Sequence, residues 1–291
     1  QFFNSGPWLK YYYLFTVILL QLVTYLILRK DFGKWKAWIA SCTIYYFNFY
    51  ALLKYPYHFS YATLHWVTIG YLLDFTLYYR FNKEHLLDFQ TISFRIISLF
   101  LSLGLELGYV AGFGFLSFIF VYGIIFLEIL WKREIDSQLV KPSIQFLKTN
   151  RLFSLISLAL IFLCAFLYFP ILISIAGALE PVESETKIFW WSNPARLFLP
   201  HLPGFNFLSD FKSDFFGDNP EGPTSGSPGW LMLLLAGMGL WQSRRSLKVF
   251  APFIFIFVLF LSYHPTLFPV LKIFPWFHYF RVSGRVTLVY S

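Results

Sequence analysis

The sequence predicts an all-α, polytopic integral membrane protein with about eight transmembrane helices, the start of a ninth, and one long extracytoplasmic segment. Three observations lead there. Hydrophobic residues make up 57% of the chain and charged residues only 13%, against about a quarter charged in soluble domains. Several apolar runs approach or exceed the roughly 20 residues that cross a hydrocarbon core. Lysines and arginines, finally, gather in alternate connecting segments, which is how membrane chains fix their orientation.

The predicted spans are 8–28, 35–53, 58–79, 89–105, 107–131, 151–178, 229–243 and 247–263, with a further one beginning near 284. The fourth and fifth are separated only by "LGLELGYVAGFG", a glycine-rich stretch suited to a tight helical hairpin. The first span is followed by Arg29, Lys30, Lys34 and Lys36, and the third by Arg80 and Lys83. The fifth is followed by Lys132, Arg133, Lys141, Lys148 and Arg151, and the seventh by Arg244, Arg245 and Lys248. These 14 of the 23 basic residues fall on one side if eight spans alternate, and the positive-inside rule makes that side cytoplasmic. The chain therefore divides into spans one to six (1–178), an extracytoplasmic segment (179–228), and spans seven, eight and the start of nine (229–291).

The 179–228 segment carries seven acids and three bases, the reverse of the cytoplasmic balance. Its first half, "KIFWWSNPARLFLPHLPGFNFL", is rich in aromatics and proline and is expected to lie along the membrane surface as short helices. The second half, "SDFKSDFFGDNPEGPTSGSPG", is punctuated by Gly, Pro and Ser and reads as an exposed loop. The formal charge of +8 is accounted for by orienting loop residues, so nucleic acid is not an expected partner. Cys42 and Cys164 both fall inside predicted spans, which argues against a disulfide framework or a thiolate metal site. Gln1 is not an initiator methionine and an apolar segment is only starting at Ser291, so the expectation is a piece of a longer protein.

Phosphate loops, His-Glu-x-x-His, paired Cys-x-x-Cys and nucleophile elbows are absent from the sequence. Candidate chemistry is confined to charge inside the membrane and charge at its outer edge. Asp74 lies six residues before Arg80, and Arg95 six residues after Phe89. At 1.5 Å per residue each sits about 9 Å from the cytoplasmic end of neighbouring antiparallel helices. Equal depth predicts a structural ion pair, which relieves the cost of showing either charge to lipid. That reading is preferred to a proton or ion relay because no chain of further acids continues through the bilayer. Glu128 has Lys132 one turn later and reads as a helix-end pair. His65, among Thr, Trp and Tyr, reads as a packing residue.

At the outer edge, His264, Lys272, His278, Arg281 and Arg285 cluster before the last span. Arg281 and Arg285 are four residues apart and share one face of a helix. With His278 they are the candidate binders of a lipid phosphate, an anion found at that depth, with anchoring to bulk phospholipid as the open alternative. Glu180, Glu183 and Glu185 follow a span directly and are the candidate catalytic carboxylates, because transfer to a hydroxyl acceptor calls for a general base near the phosphate. Asp210, Asp214 and Asp218, beside Glu221, do not follow a Ca²⁺-loop pattern. They read as a solvated loop, no metal site is assigned, and a divalent cation remains the one cofactor left open.

Four stretches carry a family resemblance. "YLILRKDFGKWKAWIASCTIYYFNFYALLKYPYHFSYATLHWVTIGYLLD" resembles the early spans of bacterial multispanning GT-C-type glycosyltransferases, and "LYFPILISIAGALEP…WSNPARLFLPHLPG" is similar to their later span passing into a long outer loop. "GSPGWLMLLLAGMGLWQSRR" resembles the span that follows, and "FPWFHYFRVSGRV" an Arg-x-Pro-x-Arg-like junction, with Ser283 where the family pattern has proline. The resemblance covers the order of segments along nearly the whole chain. It implies a bacterial inner-membrane enzyme that moves a sugar from a polyprenyl-phosphate donor to an envelope acceptor on the outer face. It also implies a catalytic acid in a first outer loop that would precede Gln1. The alternative is a non-catalytic subunit or scaffold of an envelope complex, with membrane lipids and other proteins of that complex as partners.

Overall fold

The computed structural model describes residues 8–46, 65–84, 87–103, 115–132, 145, 148–178, 230–261 and 269. Helix is the only extended regular structure among them. It forms α1 (Trp8–Phe32), α2 (Lys34–Tyr46), α3 (His65–Glu84), α4 (Phe89–Leu103), α5 (Phe115–Lys132), α6 (Arg151–Ala178), α7 (Trp230–Gln242) and α8 (Ala251–Leu261), with a 3-10 helix at Arg244–Val249. The described residues are all-α, the fold class that the long apolar runs predict. Among the described residues, no helix is long and apolar enough to cross a membrane.

Two compact units divide the chain: residues 1–41 with 63–178, and residues 42–62 with 179–291. In the first, α3 is the central element and packs against α1, α4 and α5, while α6 packs on α4. Helix α1 turns Val17, Leu20, Thr24 and Leu28 inward, a stripe at three- and four-residue spacing that occupies one helical face. Its other face, including Leu14, Ile18 and Leu22, is apolar too and is exposed. Phe32 of α1 stacks on Phe75 and contacts Tyr79 of α3, with ring centroids at 6.1 and 5.2 Å. Phe94 of α4 meets Phe153 of α6 edge-on at 5.8 Å.

The predicted spans and the observed helices differ at the ends carrying charge. The first span was expected to stop at 28, but α1 continues through Arg29, Lys30 and Asp31. It stops at Gly33, whose φ of +82° is a left-handed conformation that favours glycine. There the Gly33 N–H donates to the Arg29 carbonyl at 3.1 Å and α2 starts at once. Likewise α3 runs to Glu84 rather than ending at 79, which places Arg80 inside the helix. The cause is physical: a helix persists past the apolar stretch whenever its last turn finds packing or ionic partners, and both ends find them.

In the second unit, α7 leads through Ser243 into the 3-10 helix, and Phe250 links that to α8. Pro252 sits in the first turn of α8, where a missing N–H leaves no helical bond unmade. Arg244 lies over the Trp241 ring at 4.8 Å.

Candidate functional site

Asp74 is fully buried near the middle of α3. A carboxylate there is tolerable only with partners that replace water, and two neighbouring helices supply them. Arg95 of α4 donates through Nε to Asp74 Oδ1 at 2.8 Å, and Ser117 of α5 donates through Oγ to Asp74 Oδ2 at 2.6 Å. Both carboxylate oxygens are thus engaged from different helices. The Arg95 guanidinium lies over the Phe118 ring at 5.6 Å and against Gly70 of α3, where an added Cβ would come within 3.0 Å of it. Gly70 is therefore a close-approach glycine, placed one turn before Asp74 so that a planar cation fits between helices.

Around this pair the interior is unusually polar. Ser98 and Tyr122 bury hydroxyl oxygens that have no hydrogen-bond partner among the described residues. The Tyr122 hydroxyl lies within electrostatic reach of Asp74 and Arg95, and its ring stacks on Phe118 at 4.2 Å. Lower on α3, Thr76 returns its hydroxyl to the Leu72 carbonyl at 2.6 Å.

A second charged centre ties together one end of three helices. Arg80 of α3 donates through Nε and Nη2 to the Asp31 carboxylate of α1, the shortest contact being 2.8 Å. Its Nη1 bonds Asp88 Oδ2 and reaches Thr91 Oγ1 at 3.1 Å. Asp88 is the N-cap of α4: Oδ1 accepts from the Gln90 N–H at 3.1 Å, and Oδ2 accepts from the Thr91 hydroxyl at 2.9 Å. The Arg80 side chain is 7% exposed and that of Asp31 5%. The sequence reading placed Arg80 in a loop that orients the chain; the structure makes it a buried tie between α1, α3 and α4. The signal that could have found it is an acid at each adjacent end, Asp31 closing α1 and Asp88 opening α4.

The candidates chosen from sequence fall into two sets. Asp74 and Arg95 are brought together across α3 and α4, as equal depth required. Glu128 accepts from Tyr78 Oη of α3 at 3.5 Å, a cross-helix contact that the Lys132 reading missed. Glu180, Glu183, Glu185, Asp210, Asp214, Asp218, Glu221, His264, Lys272, His278, Arg281 and Arg285 lie outside the described residues, and so does the His65 side chain. No group of His, Cys, Asp and Glu among the described residues could hold a metal ion. The described centre holds two opposite charges, hydrogen-bonded to each other, between α3, α4 and α5. No family model, curated protein or solved structure matches the chain.

Proposed function

We propose that this chain is a polytopic protein of the bacterial inner membrane whose described helices form the membrane framework of a GT-C-like glycosyltransferase. The observation that carries the membrane part is an inverted distribution of polarity. Asp74, Thr76, Arg80, Arg95 and Ser117 are buried, whereas Leu155, Phe162 and Phe166 of α6 are 65%, 67% and 79% exposed. Water would make that arrangement costly on both counts. Lipid reverses both: apolar side chains face hydrocarbon at no cost, and intramembrane charges pair inside the bundle. In the sequence, positions 11–28 and 152–178 contain no Asp, Glu, Lys or Arg, the composition that a lipid-facing segment needs.

The transferase part rests on the segment order and on the Arg281/Arg285 spacing. In this reading a polyprenyl-phosphate head is held by Arg281, Arg285 and His278 at the outer face, with Glu180, Glu183 and Glu185 supplying carboxylates close by. Arg281→Ala should weaken binding of polyprenyl phosphate by about 1.5–3 kcal/mol, the scale of a charged hydrogen bond. Arg281→Lys should also lose affinity, because an ammonium cannot grip phosphate in two places. Equal binding by wild type and Arg281→Ala/Arg285→Ala, in detergent at matched ionic strength, would reject the lipid-phosphate site.

A second reading is favoured by one observation: the buried charges of the first unit are committed to one another, in the pattern of a load carried by structure and not of a reaction centre. A non-catalytic scaffold of an envelope complex has that property. Loss of polyprenyl-phosphate binding with retention of complex assembly in the arginine double variant separates the two.

A further inference from the structure

The corner between α1 and α2 concentrates positive charge that forms no ion pair among the described residues. Arg29 and Lys30 close α1, Lys34 and Lys36 open α2, and all four are exposed. The one acid in that stretch, Asp31, faces the other way, with both carboxylate oxygens accepting from Arg80. Arg29 lies over the Tyr25 ring at 5.9 Å, a contact that leaves its charge in place. Helix electrostatics do not explain the lysines either: α2 has no acid in its first turn, and cations at a helix start oppose the macrodipole. Trp35 and Trp38 flank them at 80% and 55% exposure, while Ala37 and Ser41 are fully buried and fix the inward face of α2. Exposed tryptophan interleaved with lysine is the composition of a headgroup-level belt, the ring in the apolar boundary and the ammonium among phosphates.

We propose that the α1–α2 corner binds anionic phospholipid headgroups through Arg29, Lys30, Lys34 and Lys36, with Trp35 and Trp38 seated at the hydrocarbon boundary. This rests on the membrane reading and adds a lipid class and a place to it. The left-handed Gly33 creates the site by turning the end of one helix into the start of the next within a single residue, so that four cations lie in an eight-residue stretch. The occupant is a lipid because the four exposed cations lie beside one exposed apolar face of α2, Trp35, Trp38 and Ile39 at helical spacing, which pairs a headgroup with its hydrocarbon boundary.

The test uses the full chain in phosphatidylcholine nanodiscs with and without dioleoyl phosphatidylglycerol, reading lipid retained on the protein by native mass spectrometry. Wild type should enrich phosphatidylglycerol. Lys30→Ala/Lys34→Ala/Lys36→Ala should reduce that enrichment by about fivefold per cation removed, at most, the scale of one basic residue at an anionic surface. Lys30→Arg/Lys34→Arg/Lys36→Arg, which keeps the charge, should retain it, and added inorganic phosphate at matched ionic strength should not displace the lipid. Unchanged enrichment in the alanine triple variant, an equal loss in the arginine triple variant, displacement by phosphate, or an acidic protein co-isolating in place of the lipid would each overturn the site. A chain that stays dispersed without detergent or nanodisc would overturn the membrane reading as well, an outcome distinct from all of these.

Discussion

Helix α3 carries Asp74, Thr76, Tyr78 and Arg80 and buries all four, while α6 has no charged residue from 152 to 178 and exposes nearly every large side chain described on it. In a bundle surrounded by water these roles would be exchanged. The more apolar helix would sit at the centre and the charged one would face solvent. The difference teaches what the outer surface of the first unit is adapted to. Central α3 gains its place through directed polar contacts: to Asp31 of α1, to Arg95 of α4, and to Ser117 and Glu128 of α5. Peripheral α6 gains its place by packing on α4, and in the membrane reading proposed above its exposed apolar face meets lipid. Polar bonds specify the interior, and apolarity specifies the boundary.

The strongest break in this comparison is at the central pair. Arg95→Leu strands the Asp74 carboxylate and should destabilise the protein by about 3–5 kcal/mol, whereas Asp74→Leu/Arg95→Leu removes both charges and should cost far less. Reversible unfolding in mixed micelles measures both. Equal loss in the single and double variants would mean the two charges are not each other's main partners.

That pair could be foreseen because it needed only arithmetic: two distances, counted from two helix ends on the same side. Ser117 could not, since the depth of α5 relative to α3 depends on the connection between α4 and α5 and not on its own sequence. Arg80 was missed for a related reason. An apolar stretch ending at 79 gives no hint that the helix runs on to Glu84 or that Asp31 and Asp88 converge on its last turn. Hydrophobicity locates helices well and their ionic ends poorly, because those ends are fixed by neighbours. The outer-edge arginines, chosen by spacing and position, and the glutamates, chosen by position, fall in segments outside the described residues.

At the boundary the expected effect is smaller and of opposite logic. Leu163 is 53% exposed on α6. In water, placing arginine at such a position changes stability by no more than about 0.5 kcal/mol. Facing hydrocarbon at mid-helix, Leu163→Arg should cost about 2.5–3.5 kcal/mol and reduce insertion, scored by glycosylation mapping of the α6 segment in a microsomal assay. Unimpaired insertion would place α6 elsewhere.

The smallest effect sharpens the interior. Tyr122 buries a hydroxyl without a partner among the described residues, so Tyr122→Phe should raise stability by about 1 kcal/mol, the desolvation cost recovered. A fall in stability would show that the hydroxyl is satisfied in the folded protein, by a bound water for instance.

The most direct measurement is of what surrounds α6. A nitroxide attached at Phe166→Cys, in a Cys42→Ser/Cys164→Ser background of the full chain reconstituted in lipid bilayers, reports collisions with molecular oxygen, which concentrates in hydrocarbon, and with a water-soluble nickel chelate, which does not enter it. The inverted polarity of α3 and α6 predicts high oxygen and low nickel accessibility at position 166. High accessibility to the nickel chelate there would contradict it.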